Sequence, residues 1–203
     1  IREELRDMAR RIAAKGYFVV LPNLYFRQVQ ASDAAYAEAP FEERIEHARH
    51  INNRLVMRDT EAMLRYVETH PRADAGSLGA IGFCMSGAFV FAAAGTFPDS
   101  IKCAASIYGV NLVTDGDDSP HLLADRVTGQ LYFACAEADD YVPDRVIEML
   151  DTRVSATELT YCIVWYPGTR QGFAFADRED TYVHASAERL WGRLFAMFER
   201  NLR

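Results

Sequence analysis

The chain has little that would tie it to nucleic acid, a membrane or a structural metal. It carries 22 Lys and Arg against 29 Asp and Glu, a formal net charge of −7, and no basic run. An acidic chain without a cationic stripe is repelled by phosphate backbones and anionic lipid surfaces. No apolar stretch approaches the roughly 20 residues that a spanning helix needs, and no secretory leader is visible. The four cysteines, Cys84, Cys103, Cys135 and Cys162, form no Cys-x-x-Cys pair, which argues against zinc. The acidic run Asp115-Gly116-Asp117-Asp118 lacks the spaced ligands and closing Glu of a calcium loop, so it reads as solvated surface. Internal repeats, low-complexity tracts and Gly/Ser-rich linkers are also absent. These gaps argue against nucleic-acid, membrane and metal partners, and the chain is expected to be a cytoplasmic monomer or homodimer without a cofactor.

What is present suits one sizeable domain over residues 1–203, since half of the residues are hydrophobic and can build a core. Residues 1–15 place Leu5, Met8 and Ile12 at helical spacing, with Gly16 as a stop. The chain opens inside this amphipathic helix and without methionine, so the first strands of the sheet are expected upstream of Ile1. Residues 17–21 read as a continuous apolar strand closed by Pro22. Residues 23–40 read as a loop. A helix over 41–70 ends at Pro71, with Asn52-Asn53 marking a kink or a break. Then come a strand at 77–83, a helix at 84–97, a strand at 101–108, an acidic loop and a short helix at 121–126. A strand at 130–135, a helix at 143–153, a strand at 159–166 ended by Pro167-Gly168, and a helix at 181–201 complete the chain. Strands alternate with helices, and the connections are too long for hairpins. The pattern predicts an α/β fold, a mostly parallel sheet with helices on both faces. Cys103, Cys135 and Cys162 fall inside strands and read as buried thiols in a reducing compartment.

Cys84 differs, because it follows a strand. The residues Gly82-Phe83-Cys84-Met85-Ser86-Gly87 lie between the apolar Leu78-Gly79-Ala80-Ile81 and a small-residue helical run over 87–94. Strand, tight turn and helix are laid end to end, with a thiol at the tip. That is the layout of a nucleophile elbow, with cysteine in place of serine. Working groups in open α/β sheets gather beyond the carboxyl ends of the strands. Two further loops leave such ends. One reads Glu137-Ala138-Asp139-Asp140-Tyr141-Val142-Pro143, and the other Pro167-Gly168-Thr169-Arg170-Gln171-Gly172-Phe173.

On these residues the chain resembles the dienelactone hydrolase family. The nucleophile of that family is a cysteine in a Gly-x-Cys-x-x-Gly elbow. Gly82, Cys84 and Gly87 match it, and Ser86 stands where glycine is frequent. The family's acid lies in an Asp-x-x-Val-Pro stretch, matched here from Asp139 to Pro143. Its histidine lies in Tyr-Pro-Gly-x-x-His-Gly-Phe, matched from Tyr166 to Phe173 except that Gln171 stands at the histidine. The resemblance covers essentially the whole chain. It implies an α/β-hydrolase fold and hydrolysis of a lactone or carboxylic ester. Cys84 would form the acyl-enzyme, Asp139 would orient the base and Met85 N–H would hold the oxyanion. A second oxyanion donor and an activating carboxylate would come from the region before Ile1.

Gln171 can donate and accept hydrogen bonds, but it cannot take a proton from a thiol at neutral pH. The resemblance therefore implies either an impaired hydrolase, confined to activated thioesters or lactones, or a catalytically inactive homologue. The latter would bind a small carboxylate-bearing ligand or a partner protein. Of the other histidines, His47, His50 and His70 belong to the charged helix and His184 to the closing one. His121 lies on the active-site side of the sheet and reads as lining the pocket or anchoring a loop, ahead of serving as a base. Tyr108, Tyr141, Arg170 and Phe173 are the other candidates for the pocket mouth. Arg170 either pairs with a substrate carboxylate or faces solvent.

Overall fold

The computed structural model describes residues 1–28 and 46–203. They divide into two compact units, Ile1–Ala73 and Asp74–Arg203.

In the first unit, α1 spans Glu3–Ala13, with Glu3 and Glu4 in its first turn and Arg10 and Arg11 in its last. That charge order complements the helix dipole. Gly16, at φ 90°, ends the segment. Residues 17–21 form no strand, contrary to the sequence expectation. A strand exists only through ladder hydrogen bonds to a neighbour, and the described residues of this unit include no other strand. Phe18 and Val20 are each 38% exposed, and the Phe18 ring packs on His70 with centroids 4.3 Å apart. Residues 29–45, with the rest of the expected loop and the start of the expected helix, lie outside the described residues. A helical turn at 46–49 gives way to α2, Asn53–Thr69. The asparagine pair is thus a break between helices. Asn52 is the N-cap, its Oδ1 accepting from Leu55 N–H at 2.9 Å. Val56, Thr60 and Val67 form the buried stripe of α2.

The second unit is a four-stranded sheet in the order β1 (Leu78–Phe83), β2 (Ile101–Ile107), β3 (Gln130–Ala138), β4 (Tyr161–Arg170), parallel throughout. Between the strands come α3 (Met85–Thr96), a 3-10 segment (Pro120–Arg126) and α4 (Asp144–Ser155), and α5 (His184–Leu202) follows. Strands paired in chain order, with crossovers of one hand, put every crossover on the same face. The residues agree. Ala104, Leu131, Phe133 and Cys135 on that face share one core with Phe91 and Ala94 of α3, Ala124 of the 3-10 segment, and Ile147, Leu150 and Val154 of α4. The opposite face belongs to α5. A Cβ at Gly79 would touch Leu202, Phe198 and Cys103, and Gln130 Oε1 accepts from Arg200 and Asn201 at 2.9 Å each. The buried Tyr132 and Tyr166 share a hydroxyl–hydroxyl bond across the same face. Cys103 and Cys135 are buried free thiols, while Cys162 is partly exposed.

β4 runs on through Pro167-Gly168 to Arg170, past the end that the sequence suggests. An edge strand tolerates proline because the missing N–H faces no partner. Gly168, at φ 71°, donates its N–H to Glu137 Oε2 at 2.8 Å. A register shift between Ala136 and Ala138 absorbs the irregularity. Leu150 is fully buried in the one-sided core. Leu150→Ala should lower stability by about 2–5 kcal/mol, read as a lower urea midpoint at unchanged m.

Candidate active site

The turn after β1 is a forced one. Cys84 sits at φ 53°, ψ −118°, which costs a residue with a side chain about 1–3 kcal/mol. Backbone bonds hold it there. Its N–H donates to Ile107 O at 3.0 Å, and its carbonyl accepts from Gly87 N–H at 2.9 Å and Val110 N–H at 3.1 Å. The Ser86 hydroxyl pins the strand end, accepting from Phe83 N–H at 2.9 Å and donating to Phe83 O at 2.8 Å. Glycine is required on both sides. A Cβ at Gly82 would lie 2.1 Å from Ser86 O, and one at Gly87 would lie 2.5 Å from both Gly109 Cα and Ser106 Oγ.

Parallel strands deliver their carboxyl ends to one edge of the sheet. Cys84 follows β1, Tyr108 follows β2, Asp139 follows β3 and Gln171 follows β4. Tyr108, at φ 38°, donates its N–H to Ala134 O at 2.6 Å. Asp139 Oδ1 accepts from Tyr141 N–H at 3.0 Å. The Gln171 side chain joins three of these residues. Its amide faces Asp139 Oδ2 and Tyr108 O on one side and the Cys84 thiol on the other. Both oxygens are acceptors, so the hydrogen-bond network assigns the amide nitrogen to them, at 2.7 Å and 3.1 Å. The amide oxygen is left to accept from the Cys84 S–H, which favours the neutral thiol. The reverse orientation would favour the thiolate, but it would set an amide oxygen against two other acceptors.

Burial is the largest influence on Cys84 and pushes its pKa above the ordinary thiol value. Met85 N–H, which faces the sulfur, and the charge of Arg178 pull it down, whereas Asp139 pushes it further up. The Asp139 carboxyl is likewise raised by burial, held back by the N–H groups of Tyr141 and Val142, and raised again by Asp140. The Gln171 amide adds a third donor that opposes this rise.

The other candidates fall in different places. Tyr108 and Phe173 are interior residues, their rings 5.3 Å apart, with Phe173 stacked on Tyr166 at 4.9 Å. Tyr141 is 61% exposed. Arg170 is exposed and pairs in the ladder with Ala138. His121 bonds Ser119 Oγ through Nδ1 at 2.7 Å and lines a surface groove with Arg145, Met149 and Arg153 of α4. None of Cys84, Asp139 and Gln171 lines that groove. Burial, then the charge of Arg153, lowers the His121 pKa. His184 is exposed at the start of α5. Two contributions escape the sequence reading. The Tyr108 carbonyl is a backbone group with no side-chain signature. Arg178 did leave a signal, as the only Lys or Arg between Arg170 and Arg189. Among the described residues, no group of His, Cys, Asp and Glu could hold a metal ion, and no helix is long and apolar enough to cross a membrane.

A parallel sheet covered by helices on both faces, with a strained cysteine between a strand and a helix, defines a protein of the α/β-hydrolase fold. The chain belongs to the dienelactone hydrolase family, whose model matches residues 1–202. It is therefore of the dienelactone hydrolase type. Among curated proteins it is similar to a Synechocystis sp. protein named "Putative carboxymethylenebutenolidase", 27% identical over 210 residues, spanning 100% of this chain and 82% of that one. The carboxymethylenebutenolidase of Rhodococcus opacus is 26% identical over 202 residues, spanning 97% of this chain and 75% of its own. Among solved structures, one named "Putative Dienelactone Hydrolase", from Klebsiella pneumoniae, superposes with a TM-score of 0.87 at 25% identity, covering 98% of this chain and 81% of its own.

The direction of the Cys84 pKa sets a reactivity test. Only the thiolate alkylates, and a raised pKa leaves less of it at neutral pH. Iodoacetamide should modify Cys84 slowly at pH 7, with a rate that climbs through an apparent pKa above that of a free thiol. Cys103 and Cys135, both pushed up to about 12, should stay unmodified in the folded protein. Peptide mass mapping over a pH series checks both.

Proposed function

We propose that this protein hydrolyses a lactone or carboxylic ester through Cys84, at a rate limited by the lack of a proton-accepting group at Gln171. The observation that carries the reading is the Gln171 amide, which joins Asp139 Oδ2 to the Cys84 thiol. Acid, middle residue and nucleophile stand in the order that acyl transfer needs, with glutamine in the middle. The Cys84 sulfur attacks the carbonyl carbon and the C–S bond forms. The carbonyl oxygen takes the negative charge and turns to Met85 N–H at the start of α3. The adduct then collapses with cleavage of the C–O bond, the departing alcohol or enol oxygen taking a proton from water. A second water attacks the thioester carbonyl, breaking the C–S bond to release the acid and return the thiol. Gln171 orients the thiol but cannot accept its proton, so the proton goes to solvent. Loss of one triad member typically leaves about 10³–10⁴-fold acceleration over water. Activated thioesters and lactones are the substrates that fit such a site. The reading needs no cofactor, and a reducing cytoplasm would keep the thiol free.

One observation favours a second reading. With the Gln171 amide nitrogen turned to Asp139 Oδ2 and Tyr108 O, the amide oxygen is left facing Cys84, where an acceptor favours the S–H form that does not react. On that reading the chain is a binding module for a small molecule or a partner protein.

An activated aryl ester separates the two. The hydrolase reading expects a burst, an acyl adduct on Cys84 by intact mass, and slow turnover. Absence of any adduct would sink it. Gln171→His should raise kcat by about 10²–10⁴-fold, the usual contribution of a positioned base. An unchanged rate would mean that the middle position has been misread.

A further inference from the structure

The segment between β4 and α5 is tightly wound around Arg178. Phe175 N–H donates to Gly172 O at 3.0 Å and Arg178 N–H to Phe175 O at 3.1 Å. Arg178 O accepts from Thr181 N–H at 3.1 Å and Tyr182 N–H at 2.8 Å, and Val183 N–H closes the segment on Phe173 O at 3.1 Å. The residue itself is exposed. Its guanidinium lies over the Phe175 ring, 4.9 Å from the centroid. That ring in turn packs on Phe83, with centroids 5.2 Å apart, and on Tyr108, 6.3 Å away. Phe83 is the residue before Cys84.

Gly172, the residue after Gln171, has φ +94°, and a Cβ there would lie 2.7 Å from Arg178 Nη1. The guanidinium therefore occupies the space that a side chain at position 172 would fill. A guanidinium is always charged in proteins, so a fixed positive charge stands beside the Gln171-Gly172 link. The groups acting on the Cys84 sulfur are few. Met85 N–H and Arg178 favour its charged form, while Asp139 opposes it. The Gln171 oxygen favours the neutral thiol. Asp177, Glu179 and Asp180 flank Arg178 in the chain, whereas the charges acting on the Cys84 sulfur are those of Arg178 and Asp139.

We propose that Arg178 is the electrostatic partner of the Cys84 thiolate, a positioning residue that supplies the positive charge an imidazolium would supply and leaves the proton transfer unserved. Its bearing on hydrolysis rests on the function proposed above, but its effect on the thiolate does not. The site thus separates two duties that one histidine ordinarily combines. With an alkylating probe, the S–H proton passes to hydroxide or a buffer base. The thiolate lone pair then forms the C–S bond, and iodide leaves with the bonding pair.

The test follows iodoacetamide alkylation of Cys84 by peptide mass across a pH series, at low salt and in 0.5 M KCl (roughly a 4 Å screening length). Wild type, Arg178→Gln and Arg178→Lys are compared, with Cys162 as the internal control. At pH 8 and low salt, Arg178→Gln should slow Cys84 about twofold to fivefold, as for a partly exposed ion pair, and move its pH profile upward. Arg178→Lys should recover most of the loss. Salt should shift the wild-type profile upward and leave that of Arg178→Gln in place. Cys162 should not change in any variant. A wild-type rate in Arg178→Gln would overturn the proposal. So would an equal loss in both variants with the salt response intact, because that is what a merely structural arginine would give. An Arg178-dependent profile without acyl adduct from the aryl ester would remove the hydrolase reading and leave the charge pairing standing.

Discussion

Three pieces of backbone meet at the end of β1, each at a glycine: the strand at Gly82, the first turn of α3 at Gly87, and the chain leaving β2 at Gly109, with the Ser106 hydroxyl against the last two. The contacts that a methyl group would make there are far shorter than any real one. This closeness lets Cys84 reach both Ile107 O and Val110 N–H with its own backbone, which offsets the strain of its positive φ. Tyr108, also at positive φ, is carried by the same junction. The sulfur is thereby thrust beyond the sheet at the mouth of a helix, and every other site residue is placed relative to it.

From that point the site builds itself sideways across neighbouring strands. Each carboxyl end sits one strand spacing from the next, so four loops can meet with little chain spent between them. The Gln171 amide spans the gap between acid and thiol as an imidazole would in shape, offering a donor to one side and an acceptor to the other. The difference lies in basicity alone. Burial and the carboxylate both hold the proton on sulfur, and the opposing influences are a backbone N–H and a guanidinium. On the proposed function, this arrangement would serve acyl transfer with the proton's path altered.

The parts of this arrangement that are legible in the sequence are those imposed by sterics and order. Gly82 and Gly87 flank Cys84 because nothing else fits, and alternating strands and helices imply a parallel sheet. Asp139 and Gln171 lie in loops at strand ends, but it is the resemblance to the family's motifs that singles them out. Less was visible where partners decide. Residues 17–21 have the composition of a buried strand, yet a strand is a property of two segments, and the ladder is missing. Pro167-Gly168 reads as a stop, but β4 is an edge, where a missing donor costs nothing and Glu137 can hold the glycine. The Tyr108 carbonyl has no letter in the sequence. Arg178 has one, but its importance comes from a fold-back that brings it against Gly172.

The two faces of the sheet are closed at different moments of synthesis. Each crossover covers its strands as soon as the next strand is made, so the face carrying Leu131, Phe133 and Cys135 is covered progressively. The other face, with Cys103, Tyr132 and Tyr166, has only α5 for cover among the elements of its own unit, and α5 comes after all four strands. Within this unit, that face therefore lacks its helix until the last segment of the chain has been made. The Cys84 turn is thus made well before the helix that closes the second face of its own unit's sheet, and apolar faces covered late are the ones that aggregate or meet a chaperone.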